Sequence, residues 1–439
     1  MKQLGQEMNT GALRLVEVPA PVVRAGGVLV RVAHSVISVG TERTKLEFGR
    51  KSLAGKALER PDQVRKVLDT VAREGIASAY RKVRSRLSGL SPLGYSCAGV
   101  IEAVGDGVTD LRAGQRVACA GAGYANHAER VWVPRNLVVP VPDDVPLDAA
   151  AFATLGAIAL QGVRQAEVRL GESVAVIGLG ILGQLTVQLL RAAGARPIGI
   201  DVDEARVALA AQLGALALRR RDDVAGAVRV ATGGLGADAV IITAATSSAD
   251  PVRLAGELAR DRGRVVVVGA VPVHAPRDLY YEKELELRLS RSYGPGRYDP
   301  EYEEKGHDYP AGYVRWTERR NLEEFIRLLH TGAVSIPPLI THRFPFADAE
   351  RAYALLTEKA GTAPLGVLID YPDPSPEPPR IYLNPARERD RERTRDRARA
   401  RERERERERA RARARISLIG AGSFATSTLV PALRSLGAE

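Results

Sequence analysis

The sequence predicts an α/β protein built in parts: a β-rich front domain, a doubly wound parallel sheet, a short return to the front domain, and a low-complexity charged tail. Three observations carry that reading. Short apolar runs punctuated by Gly and Pro fill residues 1–150. Strand and helix patterns alternate through 151–335, the rhythm of a parallel sheet. Arg stands at every odd position from 387 to 415.

The front domain opens with apolar runs at Leu13 to Val18, Gly27 to His34 and Val36 to Val39. The pattern resumes over 93–140 with SCAGVIEAVG, QRVACAG and ERVWVP. Short strands with turns between them predict a small barrel-like unit. Residues 43–92 interrupt it. Pro61 suits a first helical position. Val64, Val67, Leu68 and Val71 then follow with helical spacing, and Ile76 to Leu87 reads as a second helix. This insert holds 13 Lys and Arg against 5 acids. It is either a solvated helical face or a lid whose field attracts an anionic substrate.

The second unit has predicted strands at Ser173–Ile177, Arg196–Asp201, Asp238–Ala244, Arg264–Gly269 and Leu285–Ser290. Helices are expected at Gln184–Ala193 and Glu204–Leu213. Residues 336–371 return to β-plus-helix, ending in the strand Gly366–Ile369. A Pro-rich linker, 372–386, leads to the Arg-rich run 387–415. That run is read either as disordered or as a solvated helix. Residues 416–439 are apolar again.

Charge, cysteine count and hydropathy narrow the class. The 439 residues carry a net charge of +11, but 387–415 supply +7 and 43–92 supply +8, leaving −4 elsewhere. Nucleic acid is therefore an unfavoured partner, a weak role of the Arg-rich tail aside. No run approaches the ~20 apolar residues of a membrane span. The N-terminus lacks the basic and apolar pattern of a signal peptide. Two cysteines, Cys97 and Cys119, exclude a disulfide framework and a multi-thiolate metal site. A cytoplasmic protein is expected.

The strongest motif lies after Ser173–Ile177. Gly178-Leu179-Gly180-Ile181-Leu182-Gly183 opens a helix, and Asp201 closes the next strand. Gly178 allows the tight turn, Gly180 a close approach to a pyrophosphate, and Gly183 close helix–strand packing. The helix N-terminus offers free N–H groups to the phosphates. Asp201 is placed for the adenosine ribose hydroxyls and would repel a 2′-phosphate, so NAD is favoured over NADP. Arg206 weakens that preference. Thr243, Ala244 and Gly269 end neighbouring strands at the same edge of the sheet, where such ligands bind.

The order of parts, with SCAGVIEAVG, AGQRVACAG, VGAVP and LITHRFPFADAERAYALL, resembles the medium-chain dehydrogenase/reductase superfamily. The resemblance covers about 1–371 without the insert. It implies a GroES-like catalytic domain split around a Rossmann domain, an active site between them, and a homo-oligomer. The boundaries it implies are 1–150, 151–335 and 336–371. Zinc alcohol dehydrogenases of that superfamily carry a Cys where this chain has Val39, and a G-H-E motif where it has Gly94-Tyr95-Ser96. The third ligand position falls near Gly156. The expectation is no zinc. The resemblance extends to zinc-free bi-domain oxidoreductases through GTERTKLEFGRKSLAGKALERPDQV, GYANHAERVWVP and SRSYGPGRYDPEYEEKGHDYPAGYVRWTERRN. Ser417 to Ala425, with Gly420 and Gly422, reads as the truncated start of a second Rossmann domain like that of glucose–fructose oxidoreductase or inositol dehydrogenase. About 24 residues of it are present, too few to hold a dinucleotide.

Without zinc, side chains must bind the reacting oxygen and move its proton. The resemblance puts Tyr95 and Ser96 in the cleft and Thr41 at the proton-relay position, with Glu42 beside it. His127 has the right ordinary pKa for a base. A second patch, 293–320, interleaves Tyr293, Tyr298, Tyr313 and Trp316 with Arg297 and Arg315. Aromatic faces and Arg forks suit a large polar substrate, sugar-like or anionic; the same composition suits an interface. Three functions remain open: an NAD-dependent oxidoreductase on a hydroxyl or carbonyl, an NADPH-type reductase of an activated C=C bond (quinone or enoyl), and a non-catalytic NAD(H)-binding scaffold.

Overall fold

The computed structural model describes residues 1–7, 10–40, 42, 90–221, 223–356, 364–372 and 429–435. The basic insert except 90–92, Thr41, the Pro-rich and Arg-rich stretches, and Gly420 and Gly422 lie outside the described residues.

The front domain begins with β1 (Lys2–Glu7), β2 (Leu13–Glu17) and β3 (Gly27–Ser38). The sequence suggested two strands over 27–39. They form one, because β3 is clamped along its length by three partners. These are β5 (Ser96–Val104), β7 (Arg130–Pro134) and, near its end, β16 (Gly366–Asp370). Residues Leu90–Pro92, expected at the end of the helical insert, are strand β4, paired with β1 as Gly5↔Pro92. With β6 (Arg116–Ala120), β8 (Val138–Pro140) and β15 (Ile340–Pro345) they complete a seven-stranded sheet and a three-stranded sheet, β2-β1-β4. β16 lies antiparallel on β3, Gly366 opposite Ser38, so the return segment closes the front domain across more than 300 residues of chain.

The second domain holds β9 (Ser173–Ile177), β10 (Arg196–Asp201), β11 (Leu216–Arg219), β12 (Ala237–Ile242), β13 (Ala259–Val267) and β14 (Glu286–Leu289). They form one parallel sheet in the order β11-β10-β9-β12-β13-β14. That is the doubly wound order with its switch point beside β9. The first two strands agree with the sequence reading residue for residue; β11 was not foreseen, because it is short and only half buried.

Helix α1 (Ala153–Gln165) leads into this domain, followed by α2 (Ile181–Ala192) and α3 (Glu204–Gln212). α4 (Val224–Ala231) and α5 (Asp250–Leu258) come next; α6 (Glu318–His330) and α7 (Ala349–Ala354) lead back to the front domain. α1 is buried nearly all round, which its small residues permit. At Gly162 a Cβ would stand 2.6 Å from Val268 Cγ2. α6 shows its Leu322, Phe325 and Ile326 face to α1 and its charges to water. A continuous core runs from the front sheet through α1 and α2 to the parallel sheet, so the two units share one interior. No helix among the described residues is long and apolar enough to cross a membrane.

Candidate functional site

The glycine-rich turn has the geometry its residues dictate. Gly178 sits at φ +97°, a region L side chains rarely adopt, and its N–H donates to Ile200 O at 2.8 Å. A Cβ on Gly183 would stand 2.0 Å from Gly178 O, so only glycine lets α2 sit this close to β9. Gly180 is different. It caps α2 at φ −64°, and a Cβ there would meet nothing within 4 Å. Open space thus lies over Gly180, at the first turn containing Ile181 and Leu182. The first N–H groups of a helix have no partner inside it.

The surrounding loops are tied to this turn. Asp201 is buried, and its Oδ2 accepts the Leu179 N–H at 2.6 Å while Oδ1 accepts the Asp203 N–H at 2.9 Å. The carboxylate therefore fixes the turn as well as facing it. Each oxygen retains a lone pair for a ribose hydroxyl. Asp203 caps α3 through the Ala205 and Arg206 N–H groups, and Arg206 Nε lies 3.8 Å from its carboxylate. Buried Gln184, which the sequence reading passed over, donates Nε2 to both Leu179 O and Arg206 O. Thr243 N–H and Ala244 N–H both donate to Ile177 O, and the Thr243 hydroxyl donates to Gly178 O. Gly269 N–H donates to Ile242 O, and a Cβ there would strike Ala244 O at 2.0 Å. All eleven predicted cofactor residues thus meet at the C-terminal edge of β9, β10, β12 and β13.

The predicted catalytic residues divide. Tyr95 and Ser96 lie at the seam between the domains, where they meet α1. Ser96 Oγ donates to Ala151 O at 2.6 Å and lies 3.3 Å from the Thr154 N–H. Thr154 Oγ1 donates to Tyr95 O at 3.2 Å. Two corrections follow. Ser96 spends its proton on joining the domains, so it is not a free donor to an incoming oxygen. And the α1 residue at this seam is Thr154, not Gly156. Gly156 faces away, and a Cβ there would lie 2.2 Å from the Phe325 ring.

Glu42 is fully buried and accepts the Tyr353 hydroxyl at 3.0 Å on Oε2. Burial, and then the Glu42 charge, hold that hydroxyl well above the ordinary tyrosine range. His127 lies in a loop, but it is not the accessible base its ordinary pKa suggested. It is fully buried, with Nδ1 2.7 Å from Ser35 Oγ, which in turn lies 2.9 Å from the Tyr371 hydroxyl. Tyr353 meets its ring edge-on at 5.8 Å. Gly94, at φ +88°, makes room, since a Cβ there would lie 2.9 Å from the imidazole. A histidine so enclosed supports the Gly94–Tyr95 turn. Tyr353 and Tyr371 come from the return segment, far away in sequence, and nothing local marks either as a neighbour of this histidine.

The aromatic segment after β14 also divides. Tyr293 is buried, its hydroxyl pushed up by burial and then by Glu318. Arg297 pairs with buried Glu303 at 2.6 Å. These two expected substrate ligands are interior parts of the segment, a correction whose cause is the ion pair that Glu303 provides. Tyr298 and Tyr313 are 63% and 91% exposed and do face solvent. Trp316 lies between two guanidiniums, Arg315 at 3.9 Å and Arg164 at 3.3 Å from its ring centre. Asn136 Nδ2 donates to Tyr302 O, tying the segment to the front domain.

Known proteins support one family. Residues 69–143 match the family model described as "Alcohol dehydrogenase GroES-like domain", and residues 182–305 match "Zinc-binding dehydrogenase". L-idonate 5-dehydrogenase of Vitis vinifera is 26% identical over 319 residues, 63% of this chain and 78% of that protein. L-arabinitol 4-dehydrogenase of Aureobasidium melanogenum is 26% identical over 297 residues, 60% and 73% of the two chains. The solved alcohol dehydrogenase TADH from Thermus sp. ATN1 superposes with a TM-score of 0.64 at 22% identity, covering 85% of this chain and all of that one. The chain belongs to the medium-chain, alcohol-dehydrogenase-like dehydrogenase/reductase superfamily. It is an oxidoreductase of the alcohol dehydrogenase type, in a family that uses NAD(P).

This medium-chain dehydrogenase carries a poor donor set for the zinc that the second family model's description names. A catalytic zinc takes three side-chain ligands from Cys, His and carboxylates. The positions that the resemblance assigns to zinc ligands hold Val39, Tyr95 and Ser96, and Thr154 is the α1 residue that meets them at Tyr95 and Ser96; none is such a ligand. The Glu42 carboxylate is held by Tyr353, a hydroxyl on which the Tyr95 phenol also acts. Among the described residues no group of three His, Cys, Asp or Glu could hold a metal ion.

Proposed function

We propose that this protein transfers hydride between NAD(H) and a hydroxyl-bearing carbon of a polyol or sugar acid, with side chains in place of zinc. The observation that carries the proposal is an intact dinucleotide cradle beside a seam of hydroxyl and carboxyl groups that lacks zinc ligands. When bound, the nicotinamide supplies the hydride acceptor or donor. Gly180 and the first turn of α2 hold the pyrophosphate, and Asp201 takes the adenosine ribose, which favours NAD over NADP. The Tyr95 hydroxyl binds the reacting oxygen. Glu42, with Thr41 as its relay, takes the proton of the substrate hydroxyl. Tyr353 fixes the Glu42 carboxylate by its hydrogen bond. His127 and Ser35 keep the Gly94–Tyr95 turn in place. The substrate class rests on the relatives, which by name act on L-idonate and L-arabinitol.

Titration with NADH and NADPH, read by nicotinamide fluorescence, tests the cofactor. NADH is expected to bind at least tenfold tighter; failure of both to bind refutes the proposal. NAD reduction with a panel of polyols and aldonates follows. Metal analysis of the purified protein is expected to give far less than one zinc per chain, and a full equivalent would overturn the zinc-free mechanism.

A further inference from the structure

The pair of arginines on Trp316 serves no contact described so far. Arg164 projects from the last turn of α1, and Arg315 precedes Trp316 in the aromatic segment. Both guanidinium carbons lie within 4 Å of one indole centre, at 3.3 and 3.9 Å, which keeps the two charges within about 7 Å of each other. Stacking uses the π face of a guanidinium and leaves its N–H edge free in the plane. Among the described residues neither guanidinium has a carboxylate within ion-pair distance. The acidic influence on both arginines is Glu324, whose two oxygens accept from Arg327 at 2.9 and 2.7 Å.

The clamp is built rather than loose. Arg164 Nε donates to Asn321 Oδ1 at 2.8 Å. Asn321 is fully buried, and its Nδ2 donates to Tyr293 O at 2.9 Å and Gln161 Oε1 at 3.3 Å. Burial, and after it the adjacent Arg315 charge, lower Arg164 to about 10 against the pull of Glu324. Stacked at 3.3 and 3.9 Å from one ring centre, the two guanidiniums occupy opposite faces of the indole, and an anion at the rim of the ring can accept from the N–H edges of both.

We propose that Arg164, Arg315 and Trp316 form an oxyanion site, separate from the hydride-transfer centre, that takes a phosphate or carboxylate group. Thr154 and Arg164 are ten residues apart on one helix, so the site lies about 15 Å from the domain seam. That is too far for the acid group of a six-carbon sugar whose hydroxyl is reacting at Tyr95. The occupant is a free anion or the distant end of a long anionic molecule.

Trp316 reports on its own site, because Trp132 is the only other tryptophan. The Trp132→Phe protein, saturated with NAD so that the α2 N-terminus is occupied, is titrated with inorganic phosphate and, separately, with gluconate at constant ionic strength. A saturable change in Trp316 fluorescence at low-millimolar concentration supports the site, and the tighter of the two ligands assigns it to phosphate or carboxylate. Arg315→Gln, at an exposed position, is expected to weaken binding at least tenfold, and Arg164→Lys to weaken it while keeping the charge. No saturable response to either ligand, or wild-type affinity in Arg315→Gln, overturns the proposal. The readout needs no turnover, so it stands or falls apart from the reaction proposed above.

Discussion

Two glycines of one motif are expected to fail in opposite ways when each is replaced by alanine. At Gly180 the backbone, φ −64° and ψ −172°, is one that alanine adopts freely. Its added methyl meets no atom within 4 Å. Folding stability is then expected to stay level or rise by about 0.4–1 kcal/mol, since alanine restricts the unfolded chain. The methyl would, however, occupy the space that the pyrophosphate crosses to reach the first turn of α2. Loss of one hydrogen bond to a charged phosphate oxygen is worth roughly 1.5–3 kcal/mol, a ten- to hundredfold weaker NADH affinity. At Gly183 the methyl would lie 2.0 Å from Gly178 O and 3.1 Å from Thr243 Oγ1. Backbone atoms must move, at a cost of roughly 1–3 kcal/mol in stability. Urea unfolding and NADH fluorescence titration on both variants separate the two effects. Wild-type NADH affinity in Gly180→Ala, or equal destabilisation of the two variants, refutes the assignment of Gly180 to the pyrophosphate.

Asp201→Asn keeps an acceptor for the Leu179 or Asp203 N–H but removes the charge; NADH is expected to bind less tightly and NADPH relatively better, and an unchanged ratio of the two affinities means the ribose is read elsewhere. Glu318 is fully buried, and burial, then the Glu303 charge, raise it to about 9, so the unfolded chain releases this proton first as pH rises. Stability is therefore expected to fall from about pH 5 to pH 9 and level off above, and Glu318→Gln is expected to remove that slope. Thermal midpoints of the two proteins that run parallel across this range contradict it. Tyr353→Phe withdraws a donor from the buried Glu42 carboxylate and is expected to lower stability by roughly 1.5–3 kcal/mol in urea, with NADH affinity unchanged; a loss of both points to a wider role for the tyrosine.

The sequence by itself determined the dinucleotide cradle. Ser173–Ile177, the three glycines and Asp201 are consecutive or nearly so, and their conformations follow from local rules: a buried apolar strand, a residue that tolerates positive φ, a free helix end. It also shows Val39, Tyr95 and Ser96 where the resemblance implies zinc ligands, because the identity of a side chain is visible without coordinates. What it could not decide was which candidates meet. Exposure and partnership depend on contacts between distant segments. His127 reads as a free base until Gly94, Ser35 and Tyr353 are seen to enclose it. Arg297 reads as a substrate ligand until Glu303 claims it. Nothing local marks Thr154 as a partner of Tyr95 or Tyr353 as a partner of Glu42; the packing of α1 and of the return segment brings each there. Local residues fix how the backbone turns; only the closed tertiary structure fixes which polar groups are already satisfied, since each buried donor must find its partner within the fold.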